Sequence, residues 1–116
     1  MRILFWNTNG NKHINSYIVN LVSDYRADVL VLAEYRSDAE ELYNLLDENG
    51  TPLLKCNTLG CERIDIWSNY AKIESGLQDS YYSIQIISNE YIICVIQTYI
   101  KSKPFRGNTK ATTNTV

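Results

Sequence analysis

Two short apolar segments with a helical repeat between them constrain the fold of this chain most. The segments are residues 2–6 (RILFW), which are continuously apolar after Arg2, and residues 29–33 (VLVLA). Unbroken apolar runs of this length are typical of strands buried on both faces. Between them, apolar residues recur at steps of three and four from Ile14 to Tyr25, as on one face of a helix. The pattern predicts a helix over about 12–25, and hence a β-α-β unit with parallel strands.

The ends of the two predicted helices carry recognisable signals. Asn11 is expected to cap the first helix, because its side chain can accept a hydrogen bond from a free backbone N–H. The tetrapeptide from Ser37 to Glu40 matches a capping box at the start of a second helix, over about 38–48. Gly50 is expected to stop that helix.

The hydrophobic pattern changes period after the second helix. Residues 63–68 alternate between polar and apolar, as a half-buried strand does. Two further β-rich runs follow at 82–86 and 91–100, with a hairpin turn predicted at 88–91. The sequence therefore predicts β-α-β-α followed by antiparallel strands.

Composition and charge limit the classes of function. The chain has 116 residues, which corresponds to one domain, with a net charge of −2 and a pI near 5.3. This charge argues against a strongly basic nucleic-acid-binding surface, but a metal ion could neutralise phosphate in a nuclease. The odd count of three cysteines without a CxxC motif favours reduced thiols in a cytoplasmic protein. The N-terminal apolar run is too short for a signal peptide or a membrane span, so no membrane partner is expected.

Two polar residues stand directly after the predicted parallel strands. Asn7 follows the first strand and Glu34 follows the second. Parallel neighbours end at the same edge of a sheet, which is where open α/β sheets bind ligands. A carboxylate there suits Mg²⁺, and an amide can orient that carboxylate or hold a phosphate oxygen.

The segments ILFWNTNGN and ADVLVLAEY, separated by a helix, resemble the opening of the endonuclease/exonuclease/phosphatase superfamily, which has the DNase I-like fold. The resemblance covers about residues 2–104. It implies an α/β fold of the α+β sandwich type, of which this chain is the N-terminal part. It also implies a strand ending at Trp6-Asn7, Glu34 as the ligand of Mg²⁺ or Mn²⁺, and a phosphate-ester substrate, possibly nucleic acid. Ala33 stands where the family usually has Gln.

Two later segments extend the resemblance. RIDIWSNY is similar to a central strand of the family, and YIICVIQTYI to a strand that ends in a His or Tyr at the site. This similarity implies a catalytic role for Tyr99 beside Asn7. The family also has an Asp-x-Asn motif and a C-terminal Asp-His pair, and the sequence is interpreted as lacking both. His13 is expected to be a solvated helix residue and does not replace the catalytic histidine.

The chain is therefore expected to be an incomplete member, inactive alone, with residues 105–116 as a disordered tail or truncated end. The alternative is a non-catalytic interaction module or subunit that needs a partner chain. In either case, self-association or a second chain covering an exposed sheet face is expected. A nucleotide-binding domain is a third and weaker hypothesis, because residues 7–11 lack GxGxxG and P-loop motifs.

Overall fold

A computed structural model describes residues 1–58 and 61–70, together with the backbone of three further strands at 73–79, 82–87 and 91–96. The elements follow the order β1 (Ile3–Asn7), α1 (Asn15–Tyr25), β2 (Val29–Ala33), α2 (Ala39–Glu48), β3 (Leu54–Lys55), β4 (Ile64–Ser68), β5 (Ile73–Asp79), β6 (Tyr82–Ile87) and β7 (Tyr91–Ile96). The predicted β-α-β-α order and the later strands are confirmed, whereas β3 and β5 were not predicted. The described residues do not include 88–90 of the predicted hairpin turn, 97–100 of the predicted strand, with Tyr99, or the tail at 105–116.

The strands form two sheets. The first has the order β1-β2-β4-β3, and the second has the order β5-β6-β7. β1 and β2 are parallel, as predicted, with a register that runs from Ile3 opposite Val29 to Asn7 opposite Ala33. All other pairs are antiparallel. Two helices and a mixed four-stranded sheet agree with the expected combination of α and β structure.

The central strand β2 is buried along its whole length and divides the core in two. Leu30 and Leu32 pack on one face, in a cluster with the apolar sides of α1 and α2. Val29 and Val31 pack on the other face, in a second cluster with residues such as Ile64 and Ile66 of β4. Apolar side chains on both faces explain why this strand lacks the polar alternation of a surface strand.

The first helix starts later than the sequence predicts. α1 begins at Asn15, Ile14 occupies the N-cap position, and no side chain caps the helix. The prediction of Asn11 as the cap is therefore wrong. The Asn11 Oδ1 atom instead accepts a 2.8 Å hydrogen bond from the His13 backbone N–H, which closes a local turn before the helix. Asn side chains compete for nearby backbone groups in this way.

The second helix is capped one residue later than predicted. The Asp38 Oδ1 atom accepts hydrogen bonds from the backbone N–H groups of Glu40 and Glu41, at 3.0 and 3.2 Å. Ser37, the predicted cap, donates its hydroxyl to the Lys12 carbonyl at 2.9 Å. The prediction of Ser37 as the cap is therefore wrong, and Asp38 caps the helix instead. The predicted start of the helix at about residue 38 is within one residue of the observed start at Ala39. Ser37 instead links the loop before α2 to the loop before α1.

The predicted stop of α2 at Gly50 is confirmed. Gly50 has a φ of +81°, and its N–H donates to the Asp47 carbonyl at 3.1 Å, while the Thr51 N–H donates to the Leu46 carbonyl at 3.0 Å. This pair of hydrogen bonds is the Schellman motif.

Helix α1 ends with the same motif but without glycine. Arg26 has a φ of +53°. Its N–H donates to the Ser23 carbonyl at 3.3 Å, and the Ala27 N–H donates to the Val22 carbonyl at 3.1 Å. A left-handed backbone costs an ordinary residue about 1–2 kcal/mol.

Neither of the helices in the described part of the chain is long and apolar enough to cross a lipid bilayer.

Candidate functional site

The parallel pairing of β1 and β2 brings the two predicted site residues to one edge of the sheet. Asn7 is the register partner of Ala33, and Glu34 follows Ala33 directly. Both side chains are half-buried. The placement of Asn7 and Glu34 that the sequence predicted is therefore confirmed, while their chemical roles remain predictions.

Thr8 joins the two loops that leave this edge. Its N–H donates to the Ala33 carbonyl at 2.9 Å, and its hydroxyl lies 3.1 Å from the Ala33 carbonyl and 2.8 Å from the Glu34 carbonyl. Thr8 is buried, so these contacts are shielded from water. The loop after β1 is thereby fixed against the loop after β2.

Glu34 adopts a backbone conformation that its residue type disfavours. Its φ is +55°, in the left-handed region that costs a residue with a side chain about 1–2 kcal/mol. Hydrogen bonds hold it there: the Glu34 N–H donates to the Arg63 carbonyl at 2.9 Å, and the Glu34 carbonyl accepts from the Gly10 N–H at 2.9 Å. Strained residues of this kind concentrate at functional sites.

The side chains that could hold a cation at this edge are the Glu34 carboxylate and the Asn7 amide. The Asn7 Oδ1 atom accepts a 2.9 Å hydrogen bond from the Asn9 backbone N–H, which fixes the orientation of the amide. No hydrogen bond to the Glu34 carboxylate occurs among the described residues. That part of the chain also contains no group of three or more His, Cys, Asp or Glu side chains that could enclose a metal. One carboxylate with several waters is a known form of Mg²⁺ binding.

A buried polar network next to Glu34 was not predicted. The Tyr35 hydroxyl donates to Asn15 Oδ1 at 2.6 Å. The Asn15 Nδ2 atom in turn donates to the Asp38 carbonyl at 2.9 Å and to Glu41 Oε1 at 2.7 Å. Asn15 and Tyr35 are only 3% and 9% exposed. The network fixes the residue after Glu34 to the first turns of both helices.

Burial raises the pKa of the Tyr35 phenol to about 12, although hydrogen bonds with Ser37 and Asn15 oppose the shift. The phenol therefore stays neutral and keeps its proton for donation at physiological pH. The sequence signal for this network was weak. Asn15 follows Ile14 at the start of the helical repeat, and nothing in the repeat shows that its amide is buried.

Asp65 is a second carboxylate that the sequence analysis missed. It lies on β4 opposite Leu32. Burial raises the pKa of its carboxyl group, while the nearby Lys55 and Arg36 side chains act in the opposite direction. Lys55 Nζ lies 3.8 Å from Asp65 Oδ1, and the Lys55 side chain is 45% exposed. The alternation in residues 63–68 indicates a half-buried strand but does not single out Asp65, whose side chain is only 19% exposed.

Three other candidates from the sequence are Tyr99, His13 and an Asp-x-Asn tripeptide. Tyr99 lies outside the described residues. His13 is exposed, as predicted, but lies in the loop before α1 and not within the helix. The tripeptide Asp47-Glu48-Asn49 has the Asp-x-Asn spacing that the sequence was interpreted as lacking, so that interpretation is corrected. This tripeptide forms the end of α2, and the family's motif is not assigned to it.

A cavity of about 370 Å³ opens at the opposite end of β1. Arg2, Ile3 and Leu4 line it at the start of β1, and Asp24, Tyr25 and Ala27 line it at the end of α1 and in the turn that follows. This is the amino end of the parallel strands, whereas open α/β sheets bind ligands at the carboxyl end. The cavity is therefore separate from the candidate site.

Comparison of the chain with protein-family models, with curated proteins and with solved structures finds no match.

Proposed function

We propose that this chain carries the metal-binding edge of a divalent-metal-dependent phosphodiesterase or phosphatase with a DNase I-like sandwich fold. Glu34 is the ligand of Mg²⁺ or Mn²⁺, and the Asn7 amide orients a phosphate oxygen or the hydrated ion. The observation that carries this proposal is the left-handed backbone of Glu34, which is held by hydrogen bonds from both of its backbone groups. Strain of this kind persists where the surrounding structure holds it in place, and it clusters at active sites and ligand-binding sites.

The geometry supports this function because it fixes the backbone that carries the Glu34 carboxylate before any ligand arrives. Thr8 and Gly10 bind the Glu34 carbonyl, and Arg63 binds its N–H. Tyr35, the next residue, is anchored in the buried network with Asn15. A backbone that is already fixed adds no further ordering cost when the side chain binds an ion.

A divalent cation, when bound, neutralises phosphate charge and polarises the phosphoryl oxygen. The residues of this chain would then position the ester. Asn7 lies on the strand next to Glu34 and offers its amide N–H groups to an oxygen of the phosphate. The resemblance assigns Tyr99 to the same site. The substrate class is a phosphate ester, with nucleic acid as one member.

Titration of the full chain with Mn²⁺ and Mg²⁺ by calorimetry tests the proposal. We expect weak binding with one site, and its loss in Glu34→Gln, which removes the negative charge and keeps the size of the side chain. Glu48→Gln is the matched control, because Glu48 is an exposed carboxylate near the end of α2. Equal binding by Glu34→Gln and the wild type would disprove the assignment of Glu34.

A further inference from the structure

Strand β1 lies at an edge of the first sheet and pairs on one side only among the described strands. The Arg2 carbonyl accepts hydrogen bonds from the Asp28 and Val29 N–H groups, and the Thr8 N–H donates to the Ala33 carbonyl. Residues 2 and 8 therefore face β2. Because successive residues of a strand point their N–H and C=O groups to opposite sides, Ile3, Phe5 and Asn7 point theirs away from β2.

Within the described part of the chain, this edge has none of the features that usually prevent strand pairing. Residues 3–6 are all apolar, and the register with β2 is regular, without a bulge. The opposite edge of the sheet differs. There, β3 has only two residues, Lys55 is one of them, and Pro52 precedes it. Short strands, lysine and proline are the usual protections of an edge.

We propose that β1 pairs in antiparallel fashion with β1 of a second copy of this chain, about a two-fold axis at Phe5. In this register Phe5 faces the partner's Phe5, and Ile3 faces the partner's Asn7. Residues that face each other in this way exchange both of their hydrogen bonds. The register therefore satisfies every outward-facing N–H and C=O group of β1 in both copies.

The side chains of β1 suit the same register. Leu4 would lie opposite the partner's Trp6 on the helix side of the sheet, where both are only partly buried in the single chain. Phe5, which is also partly buried, would meet the partner's Phe5 on the other side. Aromatic and aliphatic cross-strand pairs of this kind are stabilising.

The charges and exposure of β1 also favour a second copy as the occupant. Arg2 is the charged residue nearest the strand, and the register places it opposite the partner's Thr8, so no like charges meet. Ile3 is 51% exposed in the single chain, and pairing would cover it. A two-fold contact uses the same surface on both copies and therefore closes at a dimer.

Analytical ultracentrifugation of the full chain over a range of concentrations tests this dimer. Ile3→Lys should weaken it by about tenfold, because the changed cross-strand pair occurs twice per dimer. Ile3→Pro should weaken it by about 30-fold, because it removes two hydrogen bonds. Leu54→Lys is the matched control and should leave the dimer unchanged, since Leu54 is a 59% exposed apolar residue on the opposite edge.

Amide hydrogen exchange identifies the strand and shows whether each variant still folds. The N–H groups of Leu4 and Trp6, which face β2, should be protected at every concentration and in Ile3→Lys. Those of Ile3 and Phe5 should become protected only as the dimer forms. A monomer at all concentrations, growth beyond a dimer, or a dimer that Ile3→Lys does not weaken would overturn the proposal. Equal weakening by Leu54→Lys would also overturn it.

Discussion

Replacement of Glu34 by glycine should stabilise the fold while it removes the proposed metal ligand. Glu34 has a φ of +55°, and relief of this strain is worth about 1–2 kcal/mol. Glycine also increases the freedom of the unfolded chain, which costs about 0.4–1 kcal/mol. The difference leaves a gain of about 0.5–1 kcal/mol in the free energy of unfolding. No hydrogen bond of the carboxylate to the described residues is lost.

This gain corresponds to a measurable change in melting temperature. The entropy of unfolding is about 2.1 cal/mol/K per residue, or about 0.24 kcal/mol/K for a chain of 116 residues. The melting temperature of Glu34→Gly should therefore rise by about 2–4 °C, as followed by circular dichroism. Glu34→Gln keeps the strain and should melt close to the wild type.

Arg26→Gly is the matched control for Glu34→Gly. Arg26 has nearly the same φ, +53°, but ends helix α1 at an exposed position. It should give a similar rise in melting temperature without any change in Mn²⁺ binding. If Glu34→Gly lowers the melting temperature while Arg26→Gly raises it, the Glu34 side chain has a structural role, and the argument from strain to function fails.

Three further predictions concern the buried network and catalysis. Tyr35→Phe should lower the free energy of unfolding, measured by urea denaturation, by about 1–3 kcal/mol, because it leaves the buried Asn15 Oδ1 atom without its donor. Tyr43→Phe is the control and should have little effect, because Tyr43 is exposed. Burial raises the pKa of Tyr35 to about 12 in the folded state. The contribution of the Tyr35 phenol to stability should therefore be complete below about pH 10 and be lost as the pH rises toward 12. Tyr35→Phe should lessen that loss. The chain alone should give no Mn²⁺-dependent hydrolysis of bis-p-nitrophenyl phosphate or plasmid DNA, because Asn7 and Glu34 supply no base to orient the attacking water. Loss of such a group costs several powers of ten in rate. Glu34-dependent turnover would contradict this prediction.

The sequence predicted the parts of the fold that depend on hydrophobic period. The predicted strand at 2–6 differs from β1 by one residue at each end, and the predicted strand at 29–33 coincides with β2. Their parallel pairing is confirmed. The bounds of β2 were predictable because the strand is buried on both faces. Every one of its residues must then be apolar, which leaves a clear signal in the sequence. The sequence also placed Asn7 and Glu34 at one edge, since the ends of paired parallel strands must meet there.

The sequence failed where single hydrogen bonds decide the structure. Asn11 and Ser37 both suit an N-cap by residue type, but Asn11 closes a turn with His13 and Ser37 binds the Lys12 carbonyl. The strand β3 has two residues, which is too short for a periodic signal. The left-handed backbone of Glu34 could not be predicted either, because it depends on Thr8, Gly10 and Arg63, which lie far from Glu34 along the chain.

Paramagnetic broadening by substoichiometric Mn²⁺, mapped residue by residue in an NMR spectrum of the full chain, tests the central claim most directly. We predict that the amide signals of Asn7, Thr8 and Glu34 broaden first, and that Glu34→Gln abolishes this effect. The acidic helix α2 is the internal comparison, since Asp47 and Glu48 are exposed carboxylates that would attract a loosely bound cation. Broadening that appears first at Asp47 and Glu48, or that persists at Asn7 in Glu34→Gln, would contradict the assignment of the metal site.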